Sequence, residues 1–336
     1  MNILIVGAGF SGTVIAYELS KAGHNISMID ERPHIGGNAY DYTDENGIRI
    51  HKYGAHLFHT NNKKVFDWLT QFGEWEEYKH KVKAILDDGR YVTLPVNKET
   101  LKIIGKENII DTLYRPYTYK MWNKTIEELD PSIINRIPIR DDDNEYYFPN
   151  DRYQVLPKKG YTEIFNLILD QKTIKVNLNT KFDKTMESSY DYIFNSMAID
   201  EYYDYEFGKL PYRSIKFHHT TLPIVKLLPT SVVNFTHNSK YTRIIEWKNM
   251  PNHGINNACT TLTYEEPCDY KDNNFERYYP VKDISGNNKK LYLKYKNIKK
   301  EKMEFIGRCG QYVYIDMHQA ISSALTISHK FKEKIE

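Results

Sequence analysis

The sequence predicts an α/β fold: a parallel sheet built on a βαβ unit, carrying a small helical insertion and a separate antiparallel sheet. Three observations lead there. An apolar run at residues 3–6 ends in Gly7-Ala-Gly9-Phe10-Ser11-Gly12, and Val14, Ile15, Leu19 and Ala22 follow at helical spacing until Gly23 stops the helix. A second short run, Ile26 to Ile29, ends at Asp30. From about 213 to 264 apolar residues alternate with a period of two, as in Ser231–Thr236 and Thr242–Trp247, which is the pattern of an antiparallel sheet.

Local signals place the remaining elements. Residues 63–73 read as a short helix closed by Gly73. Val82–Leu86 and Tyr91–Leu94 flank Asp88-Gly89 and read as a hairpin. From Lys98 to about Leu129 the pattern is helical, and Pro131 and Pro138 punctuate the next stretch. Residues 160–170 read as a helix, 190–195 as a buried strand and 321–336 as a helix opening near Asp316 and Met317.

Composition removes several classes of function. Lys and Arg number 46 against 44 Asp and Glu, for a net charge of +2, so no concentrated basic surface marks a nucleic-acid binder. The 3 cysteines have no metal-like spacing and cannot all pair, which points to a reducing compartment. No apolar run reaches the roughly 18 residues of a membrane span, and no basic leader precedes the first strand. The expected location is the cytoplasm.

In Gly7-x-Gly9-x-x-Gly12, the first glycine permits a tight turn, the second lets backbone approach a pyrophosphate, and the third packs helix on strand. Asp30 is placed to accept from a ribose hydroxyl. These residues do not separate NAD from FAD. Glu31-Arg32, followed by Gly36-Gly37-Asn38, favours the longer cofactor, because two residues without side chains allow close contact along a ribityl phosphate. His51-Lys-Tyr-Gly-Ala-His56-Leu57-Phe-His59-Thr60 raises the thought of a metal, but the run holds no Cys or carboxylate and strand spacing points His56 and His59 apart; no metal is expected. Asp316 and Met317 stand at a helix start, where an acid can be a simple cap or the amides can face an anion.

The chain resembles the bacterial UDP-galactopyranose mutases. The matching stretches are 51–60, Tyr117–Trp122, Arg136-Ile-Pro-Ile-Arg140, 147–154, Asn234-Phe-Thr, Tyr241–Glu246, Tyr278-Tyr279-Pro-Val and Gly307–Met317, and they run from end to end. The resemblance implies an FAD-binding Rossmann-like domain over 1–76, 182–210 and 286–336. It also implies a helical domain with a mobile substrate loop over 97–135, and a sheet domain over 77–96, 136–181 and 211–285. It implies an isomerase that interconverts UDP-galactopyranose and UDP-galactofuranose through an adduct of the sugar with N5 of reduced FAD, for cell-surface polysaccharide. An external reductant keeps the flavin reduced.

The resemblance carries over residue by residue. Arg136 and Arg243 resemble the arginines that hold the diphosphate, and Tyr279 and Tyr314 the tyrosines that hydrogen-bond it. Tyr117 resembles the aromatic stacked on uracil, Trp122 the one on the closing loop, and Tyr147 a further phosphate or sugar contact. His56 resembles the histidine beside the flavin, Asp316 the acid near the ribityl chain and substrate, and Arg308 the arginine near the flavin. Gly7, Gly9, Phe10, Ser11, Gly12, Asp30, Glu31, Arg32, Gly37, Asn38, Leu57 and Met317 complete the cofactor set.

Two departures stand out. The stretch from Pro95-Val-Asn97 to Tyr117 is shorter than the family pattern, and His80 stands where Asn is common. In the family this stretch carries part of the uridine pocket and often the dimer contact, so the resemblance implies the nucleotide, the sugar and a homodimer less directly than it implies the flavin chemistry. The competing readings are an amine-oxidase-type flavin oxidoreductase and a flavin-fold binding protein resembling the GDP-dissociation inhibitors.

Overall fold

A computed structural model describes residues 1–128, 139–254 and 258–335. Strand β1 (Asn2–Val6), helix α1 (Phe10–Lys21) and strand β2 (Asn25–Ile29) form the expected βαβ unit, with Asn2 opposite Asn25 and Val6 opposite Ile29. The parallel sheet has 5 strands in the order Ile174–Asn177, β2, β1, Tyr192–Asn195, Met303–Phe305. Its two faces are both covered. Ile3 and Ile5 join the main core, while Leu4 and Val6 join a second cluster with Ile193 and Tyr202. An unbroken apolar run is what such a doubly buried strand requires. On the main-core side α1 packs against the C-terminal helix Met317–Ile335.

The second sheet has 7 strands: Tyr279–Pro280, Tyr212–Leu222, Thr260–Asp269, Arg243–Glu246, Val232–Phe235, Val82–Ile85, Tyr91–Leu94, in that order. It is mixed rather than wholly antiparallel, because Val82–Ile85 and Val232–Phe235 run parallel. Periodicity reports which face is buried, not strand direction.

The stretch 153–181, expected in the sheet domain, packs with the nucleotide unit instead. Tyr153–Pro157 lies between Phe58–Thr60 and Trp75–Glu77 in a 3-stranded sheet, and Ile174–Asn177 is an edge of the parallel sheet. The helix between them, Tyr161–Leu169, sets Phe165 4.6 Å from Phe10 of α1. Asp41 caps it, accepting from the Tyr161 and Thr162 amides at 2.8 Å each.

The single helical run expected over 98–129 is broken into pieces. Gly105, at φ 83°, ends Lys98–Ile104, and a wide turn at Ile110–Tyr114 leads into the helix Arg115–Trp122. Among the described residues no helix is long and apolar enough to cross a membrane.

Candidate active site

Between the two sheets lies a cavity of about 1420 Å³. Each described residue of the expected set lines it: Gly7, Gly9, Phe10, Ser11, Gly12, Asp30, Glu31, Arg32, Gly37, Asn38, His56, Leu57, Tyr117, Trp122, Tyr147, Arg243, Tyr279, Arg308, Tyr314, Asp316 and Met317. Arg136 lies outside the described residues.

At one end the chain is stripped of side chains. A Cβ on Gly12 would sit 2.1 Å from the Gly7 carbonyl oxygen, and one on Gly37 would sit 2.8 Å from the Gly9 Cα. The two glycine segments, far apart in sequence, thus press on one another beside the first turn of α1. That turn has no side-chain cap, leaving its amides to the cavity. Asp30, buried, accepts from the Ala8 amide at 2.8 Å and the Arg32 amide at 2.9 Å, so it also pins the glycine loop. Arg32 reaches Asn38 at 2.9 Å, pairs with Glu276 and stacks over Tyr53.

Residues 307–317 close this end from the other side. The Arg308 guanidinium donates to the Tyr278 and Ile315 carbonyls, each at 2.8 Å, and lies over the Tyr314 ring. Arg308 therefore ties the Tyr279 strand to the segment that carries Tyr314 and Asp316. Tyr279 and Tyr314 stack at 5.4 Å, and Trp122 meets Tyr279 edge-on at 6.3 Å. Burial pushes the Tyr279 and Tyr147 phenols upward, so both remain O–H donors.

The other end is organised by a carboxylate outside the residues expected from the sequence. Arg243 donates from Nε to Glu265 at 2.6 Å, and the Glu265 side chain is 2% exposed. Burial opposes the charge on Arg243, but Glu265 more than offsets it and holds the guanidinium protonated. Pairing between Arg243–Glu246 and Thr260–Asp269 sets residues 243 and 265 directly opposite. A register so distant in sequence leaves no local signal. Among the described residues the second oxygen of Glu265 has no hydrogen-bond partner, and it lies where a Cβ on Gly54 would come within 2.7 Å.

The histidine run sorts itself by hydrogen bonding. His56 donates from Nδ1 to the Gly54 carbonyl at 2.8 Å, which makes Nε2 its bare acceptor. Burial, with Arg308 and Arg243 nearby, brings its pKa down to about 4, so the ring is neutral. The His56 amide donates to His51 Nδ1 at 3.0 Å, and His51 Nε2 lies 2.9 Å from His253 Nε2, whose Nδ1 faces the Pro251 carbonyl at 2.7 Å. One set of tautomers satisfies this chain: His51 donates from Nε2, and His253 donates from Nδ1. Among the described residues one group has metal-like spacing, His59, Asp316 and His318, with ligand atoms within 4.8 Å of one another. Its carboxylate comes from the far end of the chain, beyond the reach of any spacing rule applied to the run 51–60. His59 Nδ1 is engaged by Asp151 at 2.5 Å.

Residues 112–314 match the family model described as UDP-galactopyranose mutase, and residues 5–72 match one described as NAD(P)-binding Rossmann-like domain. A probable UDP-galactopyranose mutase of Klebsiella pneumoniae is 32% identical over 375 aligned positions, covering 99% of this chain and 95% of that one. A dTDP-fucopyranose mutase of Escherichia coli is also 32% identical, covering 96% of each. Both alignments run longer than the 336 residues here, so the relatives carry residues with no counterpart in this chain. Among solved structures, a reduced UDP-galactopyranose mutase matches with TM-score 0.72 and 17% identity, covering 100% of this chain and 94% of that one. A putrescine oxidase shares the fold at TM-score 0.57 and 12% identity, covering 98% of each. By length of match and identity, this chain belongs to the UDP-galactopyranose mutase family.

Proposed function

We propose that the chain holds FAD in the cavity and, with the flavin reduced, interconverts UDP-galactopyranose and UDP-galactofuranose in the cytoplasm, supplying furanose units for cell-surface polysaccharide. When bound there, reduced flavin would supply the nucleophile for the sugar's anomeric carbon, and the residues lining the cavity would receive the departing UDP. The chain's own residues bind, orient and hold charge. Amides at the α1 N-terminus and the glycine-lined path suit the cofactor diphosphate, and Asp30 its ribose. A cavity of about 1420 Å³ has room for a second ligand beside a dinucleotide.

The observation that carries this reading is Arg243 in the same cavity as both glycine segments, its guanidinium aimed by Glu265. A leaving diphosphate gathers negative charge, and a fixed cation stabilises that charge without reorganising. Tyr279, Tyr314 and Tyr147 would donate to the same oxygens, Arg136 would supply a second cation, and Tyr117 and Trp122 would cover the nucleotide. Neutral His56 would offer Nε2 to the flavin or a sugar hydroxyl. An oxidase reading leaves Arg243 and Glu265 without a task.

Protein purified with its flavin and reduced by dithionite should convert UDP-galactopyranose to the furanose, as read by chromatography. Equal rates with oxidised flavin, or net oxidation of the sugar, would refute the proposal.

A further inference from the structure

We infer that Lys120 is a positioning residue that joins the helix walling the nucleotide end of the cavity to the strand bearing Arg243. The inference rests on the mutase reading above. Helix Arg115–Trp122 sends Tyr117, Met121 and Trp122 into the cavity. Lys120, on the flank beside Tyr117 and Met121, turns away from it. Its ammonium donates to the carbonyls of Phe235 at 2.8 Å, His237 at 2.9 Å and Tyr241 at 3.2 Å. Those three carbonyls belong to the end of strand Val232–Phe235 and the turn that leads directly into Arg243–Glu246. All three N–H groups of one ammonium are thereby spent on one turn.

A second cation completes the tie from below. Arg213, on strand Tyr212–Leu222, donates to the Met121 carbonyl at 2.7 Å and the Lys120 carbonyl at 3.3 Å, capping the last turn of the same helix. The helix is thus fixed between the two halves of the sheet. Tyr117 and Arg243, which would touch the base and the diphosphate of one ligand, are joined through the polar tie at Lys120.

The tie depends on charge. Burial among carbonyls lowers the Lys120 pKa to about 8, with Asp87 in the neighbouring hairpin turn opposing the fall. The elements packed around it carry Asp87, Arg213, Lys216, His218, His219, His237, Lys240, Tyr241, Tyr264, Glu265 and Glu266, of which Lys240 and His218 pair with Glu266 and Glu265 with Arg243. Below the lowered value the ammonium makes three donations. Above it the amine has two hydrogens and no charge, so the wall loosens as pH rises from 7 to 9.

The test is binding of UDP to the flavin-loaded protein by titration calorimetry at pH 7 and pH 9. Lys120→Met should weaken UDP binding on the order of tenfold or more at pH 7, with KM for the UDP-sugar rising in step and kcat within about threefold. Wild-type affinity should fall from pH 7 to pH 9, and Lys120→Arg, which stays charged, should show no such fall. Flavin content and Tm are read on each sample, and if Lys120→Met does not fold, wild type against Lys120→Arg decides. A Lys120→Met protein binding UDP within twofold of wild type, or a Lys120→Arg protein keeping the alkaline fall, would overturn the inference. Flavin-loaded wild type that binds no UDP at either pH would overturn the mutase reading, and this inference with it.

Discussion

Replacing Arg243 with alanine removes two things at once, and the structure lets them be separated. Glu265 is paired with Arg243 at 2.6 Å and its side chain is 2% exposed. Without the cation a buried carboxylate remains, one of whose oxygens already lacks a partner among the described residues. Breaking a buried pair from one side costs about 3–5 kcal/mol, which at about 2.1 cal/mol/K of unfolding entropy per residue is roughly 4–7 °C in Tm for 336 residues. The same change removes a charged contact to a diphosphate, lowering kcat/KM by on the order of 30- to 1000-fold. Adding Glu265→Gln to Arg243→Ala should restore most of the lost Tm, because a neutral amide needs no counter-charge, and none of the activity. Arg243→Lys should recover activity only in part, since an ammonium cannot fork across two oxygens.

The pH dependence has a definite sign. In Arg243→Ala the Glu265 carboxylate stays buried without its counter-charge, so the deficit is the cost of burying an anion. That cost belongs to the ionised carboxylate and is absent when the group is protonated. The variant should therefore lose more Tm at pH 8 than at pH 5 relative to wild type. Thermal denaturation followed by flavin fluorescence, with chromatographic kinetics on the same samples, measures both effects. An Arg243→Ala protein melting within about 2 °C of wild type at pH 8 would show that the pair does not carry this burial cost.

Three further outcomes are expected. His51 and His253 are held neutral, burial bringing His253 down to about 4 from 6.5, so stability is full above pH 6.5 and falls between 6.5 and 4, by about 3 kcal/mol for His253 alone. In Tm measured from pH 7.5 to 4.5, His253→Gln should flatten that fall; an unchanged slope would reject the neutral chain. Gly37→Ala sets a Cβ 2.8 Å from Gly9 Cα at φ 53°, which should cost flavin affinity before it costs the fold. Flavin retained at wild-type stoichiometry after dialysis would contradict this. With fewer residues to wall the base, UDP should outcompete dTDP and GDP by only about 1–2 kcal/mol; a preference of a hundredfold or more in competition assays would show the base to be held by other means.

What the sequence discloses and what it hides divide along sequence separation. β1, α1, β2 and the hairpin Val82–Ile85/Tyr91–Leu94 are set by partners close in sequence, Asn2 facing Asn25 and Ile85 facing Tyr91, and their apolar periods and Asp88-Gly89 turn announce them. The Thr242–Trp247 run is visible, but its partner Glu265 is not, because nothing local fixes a register. The parallel pairing of Val82–Ile85 with Val232–Phe235 is hidden for the same reason. His51 reads as one of three close histidines, whereas its partner is His253. Lys120 sits in a motif of the family, yet the carbonyls it binds carry no residue identity at all. Much of the site is legible only through resemblance: Arg243 and Tyr279 are ordinary residues until the fold sets them around one cavity.

The opposition of the glycine loop near residue 9 and the segment 307–317 also bears on how a cell makes the protein. A Cβ on Gly307 would fall 3.3 Å from the Ser11 hydroxyl, so the two walls of the proposed cofactor bed are far apart in order of synthesis. A nascent chain emerging from the ribosome exposes the first wall long before the second exists. Flavin capture must then wait until the second wall has been made, and a chain cut or stalled before residue 307 would go unloaded. Bound flavin would thereby mark copies in which both walls have been made and brought together.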